Sequence, residues 1–125
     1  PPSLAVAVAL KEAVDQFLRD VRKLGVPKEC IVFTLDGFRY LEAQQRGVNS
    51  YFDLMRRYFL ERATAEGLEA IDLDPLMMKR HAETEERFEY PNDAHWNPNG
   101  HRVTAQALQA SKMLNSGCDL DVPTK

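Results

Sequence analysis

Apolar residues recur at helical spacing from Leu10 to Leu24, and charged residues fill the positions between them. This pattern predicts an amphipathic helix. Gly25 stands where a left-handed C-cap residue is expected, and Pro27 prevents the helix from continuing. The next segment, residues 30–35, is a short β-branched and aromatic run, which predicts a strand buried on both faces.

A second helix, a second strand and a third helix follow in the pattern. Asn49 and Ser50 predict the start of the second helix, and Gly67 predicts its end. Residues 68–73 then predict a strand, and Asp74 with the proline after it opens a short helix. Residues 91–96 show neither helical nor strand period, which predicts a loop after the charged stretch 81–90.

The C-terminal segment predicts one more helix. Asn97 is its expected N-cap and Pro98 its first residue, Gly117 closes it, and its apolar face comprises Val103, Ala107, Ala110 and Leu114. The tail 118–125 has no period, so we expect it to be weakly ordered. The domain predicted from the pattern is therefore 1–117.

The predicted order is helix, strand, helix, strand, helix, helix, which favours an α/β fold with parallel strands. Two strands are fewer than such a sheet normally contains, and they leave edges and apolar faces uncovered. We therefore expect further strands from sequence that precedes residue 1, or from a homo-oligomer.

Composition narrows the function classes. With 44% hydrophobic and 28% charged residues the chain fits one soluble globular domain, and a net charge of −3 gives no reason to expect nucleic acid or membrane partners. The apolar run Leu4–Leu10 is too short to span a bilayer. Cys30 and Cys118 lie far apart in the sequence without a metal-binding spacing, so we expect neither a disulfide framework nor a zinc site. We expect Cys30 to be an apolar residue at the edge of a strand.

Candidate chemistry is concentrated near the C-terminus. A carboxylate beside a histidine, Asp93 and His95, can hold an imidazole as a general base near neutral pH. The structural alternative is an aspartate that caps a turn and a histidine that packs beneath Trp96. A metal site formed by Asp93, His95 and His101 has suitable ligands but matches no tight zinc spacing, and it ranks last.

The neighbouring polar and aromatic residues allow more than one role. Trp96 is either an aromatic wall that faces substrate or a lid on the core. We expect His101 to be structural, through a hydrogen bond to the loop. Asp36 and Arg39 follow the first strand, where a site can form, but a solvated turn is the favoured interpretation.

The stretch Asp93-Ala94-His95-Trp96-Asn97-Pro98-Asn99-Gly100-His101 resembles a motif of SGNH (GDSL-like) hydrolases. The Asp-x-His spacing is similar to the variant in SGNH-like acyltransferases and in many bacterial SGNH proteins. Residues 32–39, 51–57 and 71–73 also look like segments of such proteins.

The resemblance implies a partial three-layer αβα (flavodoxin-like) fold, with Asp93 and His95 as catalytic residues and Trp96 and Asn97 as substrate-binding residues. It implies a serine-dependent esterase or O-acyltransferase that needs no cofactor and no metal. The implied substrate is a small-molecule or carbohydrate ester, with an acetylated carbohydrate as one candidate.

The chain departs from the family pattern at the nucleophile. The Gly-Asp-Ser block and the Gly-x-Asn-Asp block are missing, and the serines, Ser3, Ser50, Ser111 and Ser116, fall by pattern at the terminus, at a cap and in the last helix. We therefore expect the nucleophile upstream and the chain to be inactive alone, so whether it is itself an enzyme stays open. The alternative is a non-catalytic binding module that keeps the fold. The compartment also stays open between cytoplasm and periplasm.

Overall fold

The computed structural model of the protein describes residues 1–119. In chain order its elements are α1 (Leu4–Lys23), a 3-10 helix (Lys28–Cys30), β1 (Val32–Leu35), α2 (Leu41–Gly47), α3 (Tyr51–Ala65), β2 (Glu69–Asp72), α4 (Asp74–Thr84), β3 (Glu89–Tyr90), β4 (Asp93–Trp96), α5 (Pro98–Gln109) and a π-helical turn (Met113–Gly117). Among these residues no helix combines the length and the apolar character needed to cross a bilayer.

The strands form two small sheets in the described part of the chain. β1 and β2 pair in parallel, from Val32 opposite Glu69 to Leu35 opposite Asp72. β3 and β4 form an antiparallel hairpin in which Tyr90 lies opposite Asp93. Helices connecting parallel strands confirm the predicted α/β class.

Two apolar clusters lie against the parallel pair. Val14 and Leu18 of α1 pack with Ala63 of α3, and Ala70 of β2 contacts this cluster. Ile71, the next residue of β2, contacts the other cluster, whose buried members are Leu73, Met77, Phe88, Val103 and Ala107. Because successive strand side chains point to opposite faces, one short strand contributes to both clusters. All residues of β1 and β2 are nevertheless only partly buried, so the prediction of a strand buried on both faces is wrong. Each strand has only one neighbour here.

The predicted helix signals are confirmed where they are local. Ser50 Oγ accepts a hydrogen bond from the Asp53 amide at 3.2 Å, and Asn97 Oδ1 accepts one from the Gly100 amide at 3.0 Å. Gly25, which follows the C-cap of α1, has φ +70°. α1 begins at Leu4 rather than Leu10, because Ser3 caps it and the alanine-rich stretch after Ser3 is compatible with helix.

The secondary structure differs from the prediction in three places. Helix α2 (Leu41–Gly47) was not predicted, since its short sequence carries no apolar stripe. Residues 91–96 contain a strand rather than a loop, because two strands of this length are too short to show an alternating pattern. The last α-helix ends at Gln109, and Gly117 ends the separate π-helical turn instead.

Cys30 and Cys118 form a disulfide across a sequence separation of 88, so the prediction of no disulfide is wrong. Local spacing does not reveal such a pair, because the fold alone brings the two residues together. The Glu69 carboxylate accepts the amides of Lys112 and Met113 at 2.8 and 3.0 Å, which holds the π-helical turn beside β2. The tail 118–125 was predicted to be weakly ordered. Cys118 is held by the disulfide, and residues 120–125 lie outside the described residues.

Candidate functional site

The candidate acid and base lie on β4, two positions apart. Side chains at positions i and i+2 of a strand share a face, so this spacing places Asp93 and His95 side by side. Asp93 Oδ1 accepts hydrogen bonds from the His95 amide at 2.9 Å and from the imidazole Nδ1 at 2.5 Å. The sequence therefore predicted a pair that the structure brings together.

Hydrogen bonds favour the ionised form of Asp93, and the Asp93–His95 pair is open to solvent. The hydrogen bond from the His95 amide, together with the one from its imidazole, lowers the pKa of Asp93 below its ordinary value. The His95 side chain is 88% exposed, so the alternative of an imidazole packed beneath Trp96 is wrong. In the tautomer whose Nδ1 donates to Asp93, Nε2 carries the lone pair that can accept a proton.

His95 borders an open depression of about 350 Å³ at the carboxyl end of β1. Its lining residues are Asp36, Arg39, Ala94, His95, Trp96 and His101. Pockets outside the carboxyl ends of parallel strands are the usual ligand sites of α/β folds. The depression is therefore a candidate ligand site beside His95.

Trp96 contacts both the core and the depression, and its role as a wall that faces substrate stays a prediction. Its indole packs against the cluster around Leu73, and it also lines the depression. The indole Nε1 donates to Asp36 Oδ2 at 3.1 Å. His101 meets the indole edge-on, with ring centres 5.6 Å apart, so its contact with the hairpin is aromatic rather than the hydrogen bond we expected.

Asn97 has a structural role in the geometry. Its Oδ1 caps α5, and its Nδ2 donates to the carbonyl oxygens of Arg87 and Glu89 at 2.9 and 3.1 Å. The amide thus ties the start of α5 to the start of β3. Its role in substrate binding stays a prediction.

Asp36 and Arg39 belong to the site, and the prediction of a solvated turn is wrong. Only 14% of the Arg39 side chain is exposed, and its Nε donates to Asp36 Oδ1 at 3.0 Å. Burial opposes ionisation of Asp36, but hydrogen bonds from Arg39, the Gly37 amide and Trp96 outweigh it and lower its pKa. Arg39 adopts φ +66°, an uncommon conformation for a residue with a side chain. The signal in the sequence was the position of Asp36 directly after the first predicted strand.

The sequence did not predict the buried ion pair that lies beneath the turn formed by residues 36–39. Arg56 and Asp74 are 7% and 2% exposed, and Arg56 Nη1 lies 3.3 Å from Asp74 Oδ2. The Asp74 carboxylate also accepts the amides of Phe38 and Arg39 at 3.0 and 2.8 Å. The sequence marked Asp74 only as a helix-start residue, because nothing local shows that the turn covers it.

Comparison with protein families decides the affiliation. The model for the SGNH hydrolase-like domain of acetyltransferase AlgX matches residues 37–120. The chain belongs to this SGNH hydrolase-like family. No curated protein and no solved structure gives a significant match. The resemblance to SGNH proteins is therefore confirmed, and the matched range includes Asp93 and His95.

Among the described side chains of the SGNH-like chain, no serine lines the depression. Ser3 and Ser50 cap helices through their hydroxyl groups. Ser111 is buried, and its hydroxyl accepts the Leu114 amide at 3.2 Å. The sequence placed only Ser50 at a helix cap; the structure shows that Ser3 also caps a helix and that Ser111 lies beyond the end of α5.

The metal alternative for the SGNH-like site finds no support in residues 1–119. No group of three or more His, Cys, Asp or Glu side chains is placed to hold a metal ion there. Asp93 and His95 pair with each other, whereas His101 packs against Trp96. The three residues proposed as ligands are thus not assembled into one site.

Proposed function

We propose that this chain is the acid and base half of a serine-dependent acyl-transfer site, in an esterase or O-acyltransferase. The observation that supports the proposal is the pair itself: Asp93 holds His95 Nδ1 at 2.5 Å while the rest of the imidazole is open to solvent. His95 takes the proton of an attacking hydroxyl on Nε2 and later returns it to the leaving group. Asp93 orients the ring and stabilises the imidazolium that forms.

The depression suits an ester carried on a carbohydrate. Trp96 offers an aromatic surface on which a sugar ring can stack, and Asp36 and Arg39 offer hydrogen-bonding groups beside it. An acetyl ester that lies along this wall has its carbonyl close to His95. Covalent acyl transfer of this kind proceeds on protein groups, without an organic cofactor or a metal.

The nucleophile, in this proposal, is a serine supplied by sequence that precedes residue 1. The same sequence, or a second copy of the chain, supplies strands beside β1 and completes a three-layer, flavodoxin-like sheet. Two observations support this. The parallel strands are only partly buried, and a two-stranded parallel pair is unusual by itself. Light scattering of the purified chain tests whether a second copy supplies these strands. If the chain is a monomer, only the preceding sequence can supply them.

The chain alone should show no hydrolysis of p-nitrophenyl acetate that depends on His95. Joined to its natural preceding sequence, it should react with a fluorophosphonate probe, and the His95→Ala variant should lose that labelling. Asp20→Ala, which removes an exposed carboxylate on α1, is the control and should label normally. Hydrolysis by the chain alone that is abolished in His95→Ala would contradict the proposed division of the site.

The second candidate function is a non-catalytic binding module that retains the fold. The committed serine hydroxyls favour it, because none faces the depression among the described residues. Such a module would bind a carbohydrate ester at Trp96 without turnover. Ligand binding in the longer protein, together with absence of probe labelling, would support it over the enzyme.

A further inference from the structure

The hairpin that carries Asp93 and His95 needs support from elsewhere in the molecule. An isolated two-stranded hairpin is marginally stable in water, and β3 has only two residues. The His95 side chain itself is highly exposed, and Asp93 is the hydrogen-bond partner of its imidazole. Catalytic groups nevertheless have to be held within about 0.5 Å of their working geometry.

Asn97 and the packing of Phe88 and Trp96 supply part of that support. The rest comes from one short stretch after β1, residues 36–40, which we call the clamp segment. At its first residue, Asp36 Oδ2 accepts the Trp96 indole Nε1 at 3.1 Å. Trp96 is the last residue of β4 and the direct neighbour of His95. This hydrogen bond therefore ties the catalytic strand to the end of β1 across 60 residues of sequence.

The clamp segment also holds the other strand of the hairpin. The Tyr40 hydroxyl donates to Glu89 Oε2 at 2.6 Å and accepts the Phe88 amide at 2.9 Å. Arg39 Nη1 lies 3.7 Å from the same Glu89 oxygen. Burial and the Glu89 carboxylate together raise the pKa of Tyr40, so its hydroxyl keeps the proton that it donates. Arg39 thus joins the two anchor points, because it pairs with Asp36 as well.

The clamp segment is itself fixed from below by buried charges. Asp74 accepts the amides of Phe38 and Arg39, and it pairs with Arg56. Arg56 Nε also donates to the Asp36 carbonyl oxygen at 2.8 Å. A Cβ atom at Gly37 would overlap the Asp74 carboxyl group, so glycine is required for this close approach. These bonds hold the segment against the ends of the parallel strands.

We propose that the clamp segment, through Asp36, Arg39 and Tyr40, is the positioning element of the Asp93–His95 pair. It sets where the hairpin stands relative to the ends of β1 and β2, and hence where His95 meets substrate. The inference rests on the proposed function only where it calls Asp93 and His95 the acid and base. The contacts of the hairpin can be tested without any substrate.

The experiment uses the single tryptophan of the chain as its reporter. Asp36→Ala removes the acceptor of the indole N–H, whereas Asp36→Asn keeps an acceptor oxygen at that place. Tyr40→Phe removes one hydroxyl with little change in volume. The matched control is Tyr90→Phe, which makes the same change on β3, at a side chain about half exposed whose hydroxyl has no hydrogen-bond partner among residues 1–119.

We expect Asp36→Ala to shift Trp96 emission to the red as the indole gains water, and Asp36→Asn to restore it. In Tyr40→Phe, amide exchange at residues 88–97 should become about fivefold faster, as expected when a hydrogen bond worth about 1 kcal/mol is lost. The amides of α1 and α3 should exchange as in the unmodified chain. Tyr90→Phe should change neither measurement.

Two results would overturn the positioning role. One is unchanged Trp96 emission in Asp36→Ala together with unchanged exchange of residues 88–97 in Tyr40→Phe. The other is faster exchange throughout α1 and α3, which would show a general contribution to stability rather than a local one. Neither result depends on acyl transfer, so failure of the proposed function would be seen separately, as loss of His95-dependent turnover in the longer protein.

Discussion

Replacing Asp74 with alanine is the most informative perturbation of the fold beneath the site. The Asp74 carboxylate is almost fully buried and has three partners: the amides of Phe38 and Arg39 and the guanidinium of Arg56. The variant removes all three contacts at once. It leaves two amide donors and one buried cation with fewer acceptors.

The size of the destabilisation depends on the partners that Arg56 keeps in the variant. Removing one partner of a buried ion pair typically costs about 3–5 kcal/mol. Arg56 keeps its ion pair with Asp72 and its bond to the Asp36 carbonyl oxygen, so we expect the lower end of that range. A loss of about 3 kcal/mol in the free energy of unfolding corresponds to a fall of roughly 10 °C in Tm for a chain of this length.

Urea unfolding of the chain, followed by Trp96 fluorescence and by far-ultraviolet circular dichroism, measures this loss. Asp20→Ala is the control: its carboxylate is exposed and 3.5 Å from Lys23, and removing such a surface pair should cost less than about 0.5 kcal/mol. If Asp74→Ala cost no more than Asp20→Ala, the buried pair would not support the clamp segment, and the reasoning would be refuted.

Three further predictions address the rest of the fold. Because the pKa of Asp93 is lowered, the ionised carboxylate stabilises the hairpin at pH values above the ordinary pKa of 3.8, and this stabilisation is lost as the pH falls below that value. The amide resonance of His95 should report the loss, and Asp93→Asn should abolish the transition. Reduction of the disulfide should lower the free energy of unfolding by up to about 4–5 kcal/mol, given the loop it closes, and identical urea curves with and without dithiothreitol would refute this. Gly100→Ala should destabilise by about 1–3 kcal/mol, because its Cβ would stand 2.7 Å from the Phe88 carbonyl oxygen; a higher Tm, as helix propensity alone would give, would contradict the packing.

Features decided by neighbouring residues were predictable from the sequence. The cap at Ser50, the positive φ at Gly25 and the proline start of α5 each depend on a few consecutive residues. The Asp93–His95 pair was predicted from its short motif, although the strand that carries it was expected to be a loop. Strand geometry explains only afterwards why the two side chains share a face. The family followed from this short motif.

Features decided by long-range contact were not predictable. Cys30 and Cys118 meet only because the π-helical turn packs beside β2. Asp36 and Trp96 are 60 residues apart, and each alone has an ordinary local explanation. The burial of Asp74 likewise depends on a turn 35 residues earlier that closes over it. A single sequence carries no signal for such pairings, since neither partner has an unusual local pattern.

The most direct test of the central claim is turnover of an acetyl ester by the chain joined to its natural preceding sequence, measured for His95→Ala, Asp93→Asn and the double variant. The account predicts that Asp93→Asn lowers the rate by about 10⁴, that His95→Ala lowers it by about 10⁶, and that the double variant is no slower than His95→Ala, because the two residues act as one unit. Undiminished turnover in His95→Ala would contradict it.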